Sequence, residues 1–214
     1  MKSTLSACEC ESSSLQTDQL VRFLLFLQDK LKFLRLTASR DMKTIVRDHL
    51  ADALLLNREI LADDAGGLLI DVGSGNGFPV VPCAILNGDV EATAIESRAR
   101  RAAFLRMAAN EVSLSLNVVE QRAETLAQEE IHWGTYNIAS ARAVTSPERV
   151  LDLIFPFIVP GGVFYAQLGR EDGRDLVVYE ALVRARGGAI DRVVEFGEVA
   201  EKQRGIVVAV RKTK

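Results

Sequence analysis

The chain has little of what builds metal centres and disulfide frameworks. Its 214 residues include three cysteines, Cys8, Cys10 and Cys83, and two histidines, His49 and His132. No Cys-x-x-Cys pair occurs, so no metal site is expected. Cys8-Glu9-Cys10 reads as two reduced, incidental thiols in a polar stretch, and Cys83 as a core residue. Leu5-Ser6-Ala7-Cys8 has the form of a lipoprotein cleavage box, but Met1-Lys2-Ser3-Thr4 supplies no apolar signal core before it. No segment reaches the roughly 18–20 apolar residues of a membrane span. These absences lead to a cytoplasmic expectation, without membrane or metal. An excess of one charge is missing too. The chain has 26 Lys+Arg against 29 Asp+Glu, a net charge of −3. As a whole it is no electrostatic nucleic-acid binder, and any RNA contact needs a local basic face. What is present is ordinary for a globular protein: 48% hydrophobic and 26% charged residues, enough to bury a full core without staples.

Residues 1–14 are polar and serine-rich and read as a disordered tail. Between Leu15 and Leu36, Leu20, Phe23, Leu24, Leu27, Leu31 and Leu34 recur at helical spacing. A second amphipathic helix is predicted from Met42 to Leu61, with Ile45, Val46, Leu50, Leu54 and Leu55 on one face. Together these make residues 15–64 an N-terminal helical cap, and 65–214 a separate alternating unit. Strands are predicted near 68–72, 91–95, 116–120, 136–140, 161–168, 190–196 and 205–211. Helices are predicted near 79–87, 98–112, 147–157 and 173–186. Such alternation implies an α/β Rossmann-like sheet, mostly parallel and covered on both faces. No helix separates the final two strands across Gly197 to Arg204, so the last strand is expected to run antiparallel. No internal repeat is present.

The most informative stretch is Leu68-Leu69-Ile70-Asp71-Val72-Gly73-Ser74-Gly75-Asn76-Gly77-Phe78-Pro79. An apolar run ends in an acid, and three glycines then alternate with small residues. That is a buried strand entering a glycine-rich turn and a helix. Glycine tolerates positive φ and lacks Cβ, so a ligand can approach the backbone. A dinucleotide fingerprint would space its glycines as Gly-x-Gly-x-x-Gly. The acid-x-Gly-x-Gly-x-Gly pattern of Asp71, Gly73, Gly75 and Gly77 resembles motif I of the S-adenosylmethionine-dependent methyltransferases instead. That cofactor carries no phosphate, and a carboxylate near the strand end suits its ammonium group. Glu96 follows Gly77 by nineteen residues at the end of the second predicted strand. An acid about 20 residues past the loop can accept hydrogen bonds from both ribose hydroxyls.

Further motifs carry a more specific resemblance, over about residues 31 to 212. They are Leu36-Thr37 with Arg40-Asp41, His49-Leu50-Ala51-Asp52, the glycine loop continued by Phe78-Pro79 and Pro82, Arg122-Ala123-Glu124, and Ala141-Arg142-Ala143-Val144. In these the chain resembles the bacterial small-subunit (16S) ribosomal RNA guanine-N7 methyltransferases, the glucose-inhibited division protein B or RsmG family. The resemblance implies that Gly73 and Phe78 line the cofactor pocket, that Ala123-Glu124 contact the adenine end, and that Arg142 sits near the cofactor and the target base. Arg142 is thus the one catalytic candidate. The residues agree, because 123–124 and 142 follow the third and fourth predicted strands, on the edge where ligands of open α/β sheets bind. The chain departs from the family pattern at Arg35, Asp48, Ala53 and Val80, and has Gln167-Leu168 where Leu-Lys is usual.

Methylation at guanine N7 needs no strong base, since N7 presents a lone pair and no proton must leave. Alignment and desolvation then dominate. Accordingly no Asn-Pro-Pro-aromatic motif and no catalytic cysteine motif occurs. RNA contact is assigned to Arg40, Arg47, His49, Arg100 and Arg101, within basic clusters that also include Lys30, Lys32, Arg35, Lys43, Arg98 and Arg106. The expected partner is 16S rRNA or the small ribosomal subunit, met by a monomer. Three other readings stay open from sequence: a small-molecule methyltransferase, a non-catalytic cofactor-binding protein, and a nicotinamide-dependent oxidoreductase.

Overall fold

A computed structural model describes residues 2–34, 41–63, 66–142, 146–168, 176–195, 198–199, 202–203 and 206–213. Three helical elements lead. They are α1 (Lys2–Ala7), α2 (Ser14–Leu34), and the short α3 (Met42–Thr44), which runs through a π-helical turn (Ile45–Leu50) into α4 (Ala51–Ala62). Alternation follows: β1 (Gly67–Val72), α5 (Val80–Leu86), β2 (Val90–Ile95), α6 (Ala99–Glu111), β3 (Leu116–Val119), α7 (Ala123–Leu126), β4 (Tyr136–Arg142), α8 (Pro147–Ile154), β5 (Ile158–Leu168), α9 (Leu176–Ala185) and β6 (Gly188–Glu195). A separate two-stranded antiparallel sheet, β7 (Glu198–Val199) and β8 (Lys202–Gln203), precedes β9 (Ile206–Lys212).

The main sheet has the order β3-β2-β1-β4-β5-β9-β6. β1 to β5 pair in parallel, and β9 runs antiparallel to both β5 and β6. The expected reversal of the last strand is therefore present, with β9 inserted between its two neighbours. Side chains alternate between two cores along each strand, as a pleat with both faces covered requires. Leu69, Ala92, Ala94, Ile138 and Tyr165 face the core packed by α2, α4, α5 and α6. Ile70, Val72, Ile95, Ala139 and Phe164 face the core packed by α8 and α9.

Residues 2–14 differ from the disordered tail that their composition suggests. α1 forms there, Leu5 is 6% exposed and Cys8 fully buried, both joining the core that α4 packs. The Cys8, Cys10 and Cys83 thiols point at the Ala51, Leu54 and Ala53 carbonyls of α4. Burial raises the Cys10 thiol to about 11 and pushes Cys83 further up, so both are held as unreactive thiols. A few apolar side chains docking on α4 outweigh a serine-rich composition that a window average cannot see past.

Candidate functional site

The strand order reverses between β1 and β4, because β2 and β3 lie on one side of β1 and β4 and β5 on the other. Loops leaving the carboxyl ends there diverge and leave a crevice. A cleft of about 320 Å³ opens at this edge, lined by Val72 and Gly73 of the first loop, Ile95, Glu96 and Ser97 after β2, Gln121 to Glu124 after β3, and Arg149 and Leu153 of α8. It therefore brings together four of the residues singled out by sequence: Gly73, Glu96, Ala123 and Glu124. Its volume falls at the lower end of small-molecule sites, about 300–1,000 Å³.

The glycine loop is shaped by Glu96. Gly73, Gly75 and Gly77 take φ of 77°, 53° and 88°, the left-handed region that glycine enters without strain. Gly73 and Ser74 donate their N–H groups to Ile95 O, at 2.9 and 3.1 Å. Glu96, 5% exposed, accepts from Gly75 N–H at 3.1 Å through Oε2 and from Arg98 N–H at 2.8 Å through Oε1. One carboxylate thus ties the loop after β1 to the start of α6. Each oxygen keeps a further lone pair for a ligand hydroxyl.

Asp71 lies 1% exposed on the face toward α4. The register pairs it with Ser140, whose Oγ donates to Asp71 Oδ1 at 2.6 Å, while Oδ2 is buried with no partner. Burial raises its pKa, against the lowering effect of the Ser140 and Ser74 hydroxyls and the Arg142 charge. A buried carboxylate oxygen without a partner carries a desolvation cost, in keeping with the raised pKa. Arg142 ends β4 one residue past the Val72–Ala141 pair, next to the loop. Its guanidinium is 3.6 Å from Asp52 Oδ2 of α4, and desolvation lowers its pKa against the pull of Asp52 and Asp71. Gln167, paired with Arg142 across β4 and β5, donates to Asp52 O at 2.9 Å.

Other predicted residues lie apart from the cleft. Phe78 is 3% exposed and packs against Phe23 at 5.3 Å and His49 at 5.8 Å between ring centroids, beneath the loop. Gly77 turns toward the same place, since a Cβ there would meet Val81 Cγ2 at 3.0 Å and Phe23 Cζ at 3.1 Å. Its role is close packing of α2 on the loop, and Phe78 anchors the same contact. Arg47 is exposed and paired with Asp48 at 2.7 Å. Arg100 is exposed on the first turn of α6, and Arg101 is half-buried, 3.9 Å from Glu96 Oε2. Arg40 lies outside the described residues, as do Leu36-Thr37 and Ala143-Val144. Sequence reasoning missed Ser140, the partnership of Asp52 with Arg142, and Arg149 with Leu153. The last two sit four apart on one face of α8, a spacing that makes them neighbours but carries no ligand signal by itself.

The family described as GidB, rRNA small subunit methyltransferase G, matches residues 16–207. The chain is 37% identical over 180 residues to the ribosomal RNA small subunit methyltransferase G of Deinococcus radiodurans, covering 83% of this chain and 69% of that protein. It is 34% identical over 179 residues to the protein of the same name from Leptothrix cholodnii, covering 82% and 79%. Among solved structures, magnesium protoporphyrin IX methyltransferase from Synechocystis PCC 6803, with bound SAM, superposes with a TM-score of 0.63 at 16% identity, over 88% of this chain and 97% of that one. The O-methyltransferase from Bacillus cereus in complex with SAH gives 0.63 at 12% identity, over 94% and 92%. These structural likenesses establish the fold as that of the Rossmann-like methyltransferases. With its match across residues 16–207 and relatives of one name over most of its length, the chain belongs to the rRNA small subunit methyltransferase G family.

Proposed function

We propose that this chain transfers a methyl group from S-adenosylmethionine to N7 of a guanine in small-subunit ribosomal RNA, in the cytoplasm. The observation that carries the reading is the cleft joining Gly73, Glu96 and Ala123-Glu124 at the carboxyl edge of β1, β2 and β3. The residues fit the cofactor. Glu96 retains lone pairs for two ribose hydroxyls, Asp71 holds a buried oxygen without a partner, and the loop backbone is stripped of Cβ atoms where a ligand would approach. In this reading Glu96 holds the ribose, Ala123-Glu124 the adenine edge, and Asp71, through the loop it anchors, the cationic amino-acid end. When bound, S-adenosylmethionine supplies a methyl group made electrophilic by its sulfonium.

The chain's own contribution is placement. Arg142 stands at the end of β4, next to the loop, and Asp52 fixes its guanidinium from α4. A planar fork so held can donate to the oxygen beside N7 and set the base in line. Guanine N7 needs no deprotonation, so the residues around it serve to orient and to exclude water. The helices of 15–64 supply part of that cover: Phe23 packs under the loop and Asp52 reaches the β4 edge. None of the described helices is long and apolar enough to cross a membrane.

The test is direct. Purified protein is incubated with labelled S-adenosylmethionine and small ribosomal subunits lacking N7-methylguanosine, and modified nucleosides are mapped by mass spectrometry. One new N7-methylguanosine in the small-subunit RNA is the expected product. Cofactor binding without any methylated RNA nucleoside would refute the assigned substrate.

A further inference from the structure

The arginines of this protein fall into two groups. Arg22, Arg106, Arg184 and Arg211 typify the first: each faces a carboxylate, at 2.9, 3.0, 2.6 and 2.5 Å respectively. The second group is Arg98, Arg100, Arg122 and Arg149. Among the described residues these four alone have no acidic partner, the weakest pairing elsewhere being Arg101 at 3.9 Å from Glu96. All four are exposed. They also share one place. Arg122 and Arg149 line the cleft, Arg98 follows the cleft residue Ser97, and Arg100 sits on the next positions of α6.

Chance alone disfavours that distribution in a chain with more acids than bases. The four share this edge with Glu96 and Glu124 of the cleft, yet among the described residues neither carboxylate forms an ion pair with any of them. Pairing there would compete with an incoming anion. S-adenosylmethionine offers no phosphate, and its single carboxylate can occupy at most one or two of the four guanidiniums, which leaves the others for a different anion. A guanidinium fork matches a phosphodiester bidentately.

We propose that Arg98, Arg100, Arg122 and Arg149 form the track on which the phosphate backbone of the RNA substrate crosses the mouth of the cofactor cleft. The surface rests on the RNA reading above and revises its details. Arg101, half-buried and turned to Glu96, is a support for the loop carboxylate and not a phosphate contact. Arg122 and Arg149 join on geometry that no motif signals. A net charge of −3 makes the rest of the surface unattractive to RNA, which focuses encounter on this rim.

Counterion release sets the size of the effect. Each neutralised phosphate adds about 0.7–0.9 to the slope of log affinity against log salt concentration. Losing four contacts lowers the slope by about 3 and, at about 0.15 M salt, the affinity by roughly 10²–10³-fold. The experiment titrates the full chain into a labelled fragment of small-subunit RNA at several KCl concentrations, reading anisotropy. The variant is Arg98→Ser/Arg100→Ser/Arg122→Ser/Arg149→Ser. Its control, with equal charge change, is Arg22→Ser/Arg106→Ser/Arg184→Ser/Arg211→Ser. Circular dichroism melting verifies that both fold. The rim variant should lose about 3 from the slope and the control less than about 1. The pair Arg98→Ser/Arg100→Ser, which leaves the cleft lining intact, should lose about half the full effect. An unchanged slope in the rim variant, an equal loss in the control, or no salt-dependent RNA binding by the unaltered protein would each overturn the proposal. N7-methylguanosine formation by the unaltered protein is scored separately. Product with an unchanged rim-variant slope sinks the track alone; a lost slope without product keeps the track and sinks the enzymatic reading.

Discussion

Glu96 bears on folding and binding together, and Glu96→Gln separates the two. The carboxylate accepts from Gly75 N–H on one oxygen and Arg98 N–H on the other, at 5% exposure. Glutamine keeps the shape and only one acceptor oxygen. Whichever backbone N–H faces the new NH₂ group loses its acceptor, and the surviving bond loses its charge. Leaving one buried donor unsatisfied costs about 1–3 kcal/mol. A stability loss of about 2 kcal/mol in a chain of this size lowers the melting temperature by roughly 4–8 °C. Cofactor binding suffers in a different way. Two ribose hydroxyls need two acceptors, and a hydrogen bond to a charged group contributes about 1.5–3 kcal/mol, so losing one weakens affinity by roughly 10–150-fold. Calorimetric titration with S-adenosylhomocysteine reads the second effect, and a urea melt followed by circular dichroism reads the first. Affinity within threefold of the unaltered protein, alongside the expected stability loss, would refute the ribose role and leave Glu96 as a tie between the loop and α6. Unaltered stability would refute the tie.

Two other perturbations test the loop. Gly77→Ala forces a φ of +88° and sets a Cβ 3.0 Å from Val81 and 3.1 Å from Phe23. It should cost about 2–4 kcal/mol, the backbone strain adding to overpacking. Gly75→Ala, whose Cβ would come no nearer than 3.6 Å to another atom, should cost only the backbone part, about 1–2 kcal/mol. Equal urea midpoints for the two would show that Phe23 does not close on the loop. Asp71→Asn tests the buried carboxyl through pH. Burial raises the folded-state pKa of Asp71 above its unfolded value, so its stabilising contribution is complete below about pH 4 and is lost as pH rises through the folded value. The stability of Asp71→Asn relative to the unaltered protein should therefore grow as pH rises above about 4, while cofactor affinity falls. A flat difference across that range would show that Asp71 is not desolvated as its surroundings imply.

What could be read from the residues alone is what the chain decides locally. A run such as Leu68-Leu69-Ile70 must be buried, and three alternating glycines must turn, whatever packs around them. β1 is found at Gly67–Val72 and the loop at positive φ for that reason. Glu96 was legible because one βαβ unit has a nearly constant length, which converts sequence spacing into position. The strand and helix alternation likewise dictated a covered parallel sheet, and the helix-free stretch before the last strand its reversal. Only the tertiary structure decided which groups meet. Ser140 reaches Asp71 through the β1–β4 register, 69 residues away, and Asp52 reaches Arg142 because α4 folds over the β4 edge. Phe78 turns into the core on Phe23 and His49, and Leu5 and Cys8 pack an N-terminal stretch that composition reads as disordered. The same holds for the arginines. Their number is written in the sequence, but whether each one meets an acid depends on contacts between segments far apart in the chain. Those contacts form through packing and shape, which no local pattern encodes.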